Sequence, residues 1–263
     1  MLKITSLVYI FTIILLTSFS CKAVANEDCY ILTQRSQSIG DLYLYVCKDG
    51  LKFFVPKRNF GMVSRAPNWQ INLFNESTKK YFQTTMEKYA GNTAGKIVAF
   101  KGYDNIGRKW QTRKKAVICN YSAQEYCLEN LSNNDSISNI RNRKINNSNI
   151  HEIDYWVCDQ ISISDKIAEM LSKFYGLPNI KYLPLRLNYI NTKNELTNVL
   201  NTYRITKTQA PISYFNSPNG YQLVTNESEV LLDNDSQQML KDLANDLGTT
   251  DPSLANTLSK KIK

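Results

Sequence analysis

What most restricts this chain is a period of two. In DLYLYVC, Asp41 to Cys47, Leu42, Leu44 and Val46 fall on one side, and Tyr43, Tyr45 and Cys47 on the other. That alternation is the signature of a strand with two unlike faces. Lys48-Asp49-Gly50 follows, carrying the Asp-Gly pair that favours tight hairpins, and Leu51 to Val55 returns. Short strands then recur at Gly61–Ser64, Trp69–Asn75 and Lys79–Phe82, with turns at Ala66-Pro67-Asn68 and Asn75-Glu76-Ser77-Thr78. Strands at this rate, joined by connections this short, imply an antiparallel meander.

Further along, Thr84–Ala90 reads as one or two helical turns, and Ile97–Tyr103 with Lys109–Cys119 as a hairpin. Asn130 to Asn149 is rich in Asn and Ser and short of large apolar residues. Such a stretch buries too little to offset its ordering entropy, which predicts a disordered insertion. Glu152–Ile161 resumes as a strand. Ile167, Met170, Leu171 and Phe174 then form an amphipathic stripe, giving a helix over Ser164–Tyr175 that stops at Gly176 and Pro178. Strands follow at Lys181–Ile190, Glu195–Thr208 and Gly220–Thr225. Pro184 predicts an edge or a bulge in the first of these. A last helix is expected at Ser236–Leu247.

The first residues have a different logic. Lys3 precedes an apolar run from Ile4 to Leu16, and Ala23-Val24-Ala25 supplies an A-x-A site, the layout of a secretory signal over residues 1–25. Two alternatives are a retained anchor, for which the run is short, and a lipid anchor on Cys21. The expected organisation is a signal peptide at 1–25, one domain at 26–248 containing the 130–149 insertion, and a polar tail at 249–263. Export argues against ATP-driven cytoplasmic chemistry and places the protein in the periplasm or outside the cell.

Without Lys3 and Lys22, the 32 basic residues become 30, against 23 acidic. A moderately basic chain suits solubility and anionic surfaces, a membrane surface among them. Seven basic residues cluster between Lys96 and Lys115, with Trp110 and Tyr103 between them. Nucleic acid binding would use such a surface, but export argues against that partner. Cleavage after Ala25 leaves Cys29, Cys47, Cys119, Cys127 and Cys158, an odd number. One or two bridges are expected, Cys119–Cys127 and Cys29–Cys47 being the candidates by spacing. There is no C-x-x-C for zinc ribbons or thioredoxin-like chemistry.

Catalytic patterns are few. The single histidine, His151, borders the Asn-rich stretch and reads as a loop residue rather than the base of a triad. Asp159, Asp165 and Glu195 are the carboxylates a secreted hydrolase would draw on, but nothing in their spacing marks a pair. No catalytic residue, metal site or cofactor is therefore assigned.

The phrases Gly40-Asp41-Leu42-Tyr43-Leu44, Ala66-Pro67-Asn68-Trp69 running to Asn75, and Phe215-Asn216-Ser217-Pro218-Asn219-Gly220-Tyr221 resemble those of periplasmic lipoprotein-carrier-like proteins. The resemblance runs from Ser38 to Thr225, more in element order than in identity. It implies an incomplete antiparallel barrel folded around helices, with an apolar cavity for acyl chains. The sequence thus predicts an α+β fold, a curved antiparallel sheet or half-barrel covered by helices. The expected role is non-enzymatic binding of a lipid, a lipoprotein acyl chain or another apolar ligand, with Tyr43, Tyr45, Trp69, Ile71, Leu73, Trp110 and Trp156 lining the cavity. The alternatives are a structural or interaction protein of the envelope and a carboxylate-dependent hydrolase.

Overall fold

The computed structural model describes residues 26–37, 39–89, 109–129, 150–175 and 179–231. The alternating segments become β1 (Asn26–Ser36), β2 (Gly40–Cys47), β3 (Gly50–Val55), β4 (Phe60–Arg65), β5 (Ile71–Asn75) and β6 (Lys80–Thr84). After a gap come β7 (Gln111–Ile118), β8 (Tyr121–Glu129) and β9 (Ile150–Ser162). Helix α1 (Asp165–Tyr175) follows, then β10 (Tyr182–Asn191), β11 (Leu196–Pro211), β12 (Gln222–Val224) and the single-turn helix α2 (Ser228–Leu231).

All twelve strands form one sheet in the order β12-β6-β5-β4-β3-β2-β1-β11-β10-β9-β8-β7. It is two meanders, β1–β6 and β7–β11, sewn together where β1 runs antiparallel to β11 from Asn26↔Pro211 to Ser36↔Leu200. The short β12 pairs with β6 in parallel, which makes the sheet mixed.

This overturns the α+β expectation. The fold is dominated by one broad mixed sheet, and among the described residues its helices are the 11-residue α1 and the 4-residue α2. A covering helical layer would need several amphipathic segments, and among the described residues the one of more than a single turn is the stripe of Ile167, Met170, Leu171 and Phe174, all four buried. The Ser164 hydroxyl accepts the Ile167 N–H at 3.3 Å and caps α1. The strand at Ile97–Tyr103, the insertion at 130–149, the helix at Ser236–Leu247, the tail at 249–263 and the leader at 1–25 lie outside the described residues.

Smaller corrections have local causes. Lys109–Cys119 shortens to β7, which pairs with β8, a strand the periodicity does not announce. Of Thr84–Ala90, the described residues up to Tyr89 contribute a turn, with the Tyr89 N–H on the Thr85 carbonyl at 2.9 Å. Pro184 is not at an edge, because β10 lies between β9 and β11; the register instead shifts between Pro184 and Arg186. A bulge tolerates the missing donor. His151 lies within β9, half-buried, and not in a loop.

The sheet's two faces differ. Ladder partners point the same way, so Leu32, Leu44, Phe53, Met62 and Leu73 form one row across β1 to β5. In the other meander Leu200, Leu187 and Tyr155 do the same across β11, β10 and β9. Both rows and α1 belong to one buried cluster, so the two wings share an interior.

Candidate ligand-binding site

That interior is the largest apolar environment among the described residues. Phe174 of α1 meets Phe53 of β3 edge to face at 4.3 Å, and Tyr175 approaches the same ring at 6.3 Å. Around them Met62, Met170, Leu185 and Leu187 are fully buried, and Met86 nearly so. Methionine side chains adapt their shape to a changing neighbour better than branched ones do.

One polar knot sits inside. The buried Gln34 carboxamide donates to the Pro184 carbonyl and the Thr202 hydroxyl, each at 2.8 Å. It accepts the Tyr175 hydroxyl at 3.1 Å. Burial pushes the Tyr175 phenol upward, so it stays a donor. The knot fixes the C-terminal end of α1 to β1, β10 and β11. On its other side, Lys173 donates to the Met86 carbonyl at 2.8 Å and pairs with Glu169 at 3.2 Å.

The residues expected to line a cavity are divided by the ladder. Ile71 and Leu73 are fully buried in the shared interior, with Trp69 and Trp110 packed at its margin and Trp110 edge-on to Tyr155 at 6.2 Å. Tyr43 and Tyr45 face the opposite side, where Tyr45 packs against Tyr214 at 5.2 Å and against the Cys29–Cys47 cluster. Trp156, next to Tyr155 in β9, is paired with Glu125 and Arg186, lies 5.8 Å from the Lys114 ammonium and is nearly buried within the interior cluster.

The bridge Cys29–Cys47 forms between directly paired residues of β1 and β2. Cys119 and Cys127 are free. The hairpin explains this: β8 pairs Tyr121 with Ile118 at the turn and Cys127 with Gln111 at the far end, so the two thiols sit at opposite ends. The hydrolase candidates are also kept apart. Asp159 holds Lys115 and Asp165 holds Lys181, each at 2.7 Å, and Glu195 takes the Asn191 amide at 2.7 Å. The basic run is partly neutralised in the same manner, since Arg113 pairs with Glu152 at 2.7 Å and Lys114 with Glu125 at 3.8 Å.

The outer face carries two polar features. A cleft of about 430 Å³ is lined by Arg35, Gln37, Asn198, Asn201 and Tyr203. Beyond it, Cys127, Glu152 and Asp154 bring one ligand atom each to within 4.8 Å of one another. Burial, then the hydrogen bond to Glu152, lifts the Asp154 carboxyl to about 7. Burial, then the Glu152 charge, pushes the Cys127 thiol up to about 12. Burial opposes ionisation of Glu152, but hydrogen bonds from Asp154 and Cys127 and the Arg113 guanidinium hold it below the usual carboxylate range. Sequence reasoning missed this group. The Glu152-x-Asp154 spacing on one strand face was the available signal.

Fold and interior define a class: a broad, mostly antiparallel sheet that, among the described residues, holds short helices against its apolar face. No family model matches the chain, and no curated protein matches it significantly in sequence. Among solved structures it is similar to an uncharacterized conserved protein from Thermus thermophilus (7% identity, TM-score 0.33, 82% of this chain and 99% of that one). It is also similar to the MucA/MucB complex of Pseudomonas aeruginosa (8%, 0.32, 77% and 59%). A third is an outer membrane lipoprotein-sorting protein domain from Vibrio parahaemolyticus (10%, 0.24, 71% and 87%). These neighbours include the kind of protein the sequence resembles, and the chain spans about three fifths of the matched chain in the MucA/MucB complex. With TM-scores below 0.5 they support no inference about a ligand.

Proposed function

We propose that this is an exported, non-enzymatic envelope protein that binds an acyl chain or a similar apolar ligand between the sheet and α1. The observation that carries it is a disproportion. Twelve strands span about 53 Å at the usual strand spacing, with an apolar face shared by both wings. Among the described residues, the longer of the two helices against that face is 11 residues, about 16 Å long. Phe174 and Met170 occupy the space a guest would take, and each buried methylene of the guest contributes about 0.8 kcal/mol. Ile71, Leu73, Trp69 and Trp110 are the proposed lining on the sheet side, and the leader-like residues 1–25 supply export.

The test is to produce the chain with its leader in an export-competent host, extract the purified protein with organic solvent and identify the extract by mass spectrometry. Roughly one acyl lipid per chain is the expected outcome, with a naphthylamine probe bound after delipidation and displaced by palmitate. A preparation that yields no lipid and binds no probe overturns the proposal.

A further inference from the structure

On the outer face of the second meander, three strands converge on a group that the apolar interior does not use. Cys127 of β8 is paired directly with Asp154 of β9, and Asp154 with Asn188 of β10. The first two are 1% and 7% exposed, and Asn188 is 5% exposed. Glu152, two residues before Asp154, lies on the same strand face and closes the cluster.

Acidic groups are often found near one another with no ion between them. Here a separate feature points to a guest. The carboxamide oxygen of Asn188 has no hydrogen-bond partner, nor does Oδ1 of Asp154. Both are more than nine-tenths buried, and cross-strand partners on one face stand about 5 Å apart at Cβ. A buried acceptor left without a donor costs about 1–3 kcal/mol. Two facing acceptors beside the Glu152 carboxylate are both short of the same thing, a donor or a cation.

We propose that Cys127, Glu152, Asp154 and the Asn188 carboxamide oxygen form a binding site for a borderline-soft divalent cation of the Zn²⁺ class. Four side chains match the four-coordinate preference of that ion. The thiolate selects it against Ca²⁺ and Mg²⁺, which take oxygen ligands alone. The charges balance: one thiolate and two carboxylates are met by the dication and by Arg113, which already holds Glu152 at 2.7 Å. A thiol coordinates as thiolate, so binding displaces the Cys127 proton. Every ligand sits on a strand of the sheet's interior order rather than on a loop, which suits a preorganised site. This site is independent of the apolar reading, and either can fail alone.

The experiment uses the full chain, reduced and stripped with a chelator, in oxygen-free buffer. Titration with Zn²⁺ by calorimetry is expected to give one ion per chain and proton release that scales with buffer ionisation enthalpy. Co²⁺ as a probe is expected to give a near-ultraviolet thiolate-to-metal charge-transfer band. Asp154→Asn weakens Zn²⁺ at least tenfold, and Cys127→Ser abolishes the band. Replacing both Cys119 and Cys158 by Ala leaves the band in place. Should Cys127→Ser fail to fold, Asn188→Ala, with its expected loss of Zn²⁺ affinity, and the wild-type Co²⁺ spectrum decide. The proposal is overturned if the wild-type protein takes up no Zn²⁺, if Ca²⁺ binds equally well with no charge-transfer band, or if the band survives Cys127→Ser.

Discussion

Gly61→Ala tests how tightly the outer face of the first meander is packed. Gly61 in β4 lies between Phe54 of β3 and Phe74 of β5 in the ladder. A methyl group there would overlap Cζ of the Phe74 ring and lie 2.7 Å from Cε1 and 2.8 Å from Cε2. The ring has little freedom to retreat. It is 2% exposed, stacked on Phe54 at 6.4 Å, edge-on to Tyr221 at 6.3 Å and approached by the Lys52 ammonium at 5.8 Å. Overpacking of this kind costs about 1–3 kcal/mol. Stiffening the unfolded chain returns about 0.4–1 kcal/mol. The net expectation is about 1–2 kcal/mol of destabilisation, or a fall in Tm of about 2–8 °C for a chain of this length. Urea denaturation followed by circular dichroism measures it. In a Phe74→Leu background the methyl has room, so the two substitutions are non-additive by at least about 0.5 kcal/mol. A Gly61→Ala protein as stable as wild type, or strict additivity with Phe74→Leu, refutes the reasoning.

Two further expectations follow from the hydrogen-bond geometry. Tyr175→Phe leaves the Gln34 carboxamide oxygen without its phenol donor and lowers unfolding free energy by about 1–3 kcal/mol in urea titrations. An unchanged midpoint would mean the buried knot does not hold α1. At the other wing, Tyr221 donates to Glu76 at 2.7 Å. That bond, against burial and with help from Lys79, holds the Glu76 carboxyl below its ordinary 4.5. A depressed carboxylate stabilises the fold above its unfolded value and loses that contribution as pH falls through the folded one. Tyr221→Phe therefore flattens the stability profile below about pH 4.5 and leaves the slope near neutrality alone; an acid limb identical to wild type would refute the assignment.

The sequence made the first meander and α1 legible because their apolar residues keep strict time. From β2 to β5 the inward residues are almost all large hydrophobes, so a period of two was enough. It failed at β1 and β8, where buried polar groups interrupt the rhythm: Gln34 and Ser36 in β1, Glu125 in β8. Gln34 is tolerated because Thr202 and Pro184, in distant strands, accept its hydrogen bonds, and a local window cannot see that far. The expected lining falls on both faces because strand register, and not residue type, assigns a face: Leu42 and Leu44 take the inner side of β2 and leave Tyr43 and Tyr45 outside, whereas Ile71 and Leu73 take the inner side of β5. The Cys127 group was out of reach because its members come from three strands and meet only through register. The helical cover was over-read: the alternating segments join into one mixed sheet of twelve strands, and among the described residues one amphipathic stripe of more than a turn packs on it.

The two margins of the sheet bear on how copies of this protein coexist. One margin ends in β12, three residues long and aligned the wrong way to extend the antiparallel pattern of the neighbouring meander. The other ends in β7, whose side chains are exposed along nearly its whole length and include Arg113, Lys114 and Lys115. A stub offers almost nothing to grip, and a strand lined with exposed, ion-paired Arg and Lys side chains is a poor template for a further strand. Among the described residues the sheet thus presents two mismatched rims, neither suited to edge-to-edge pairing with a second copy.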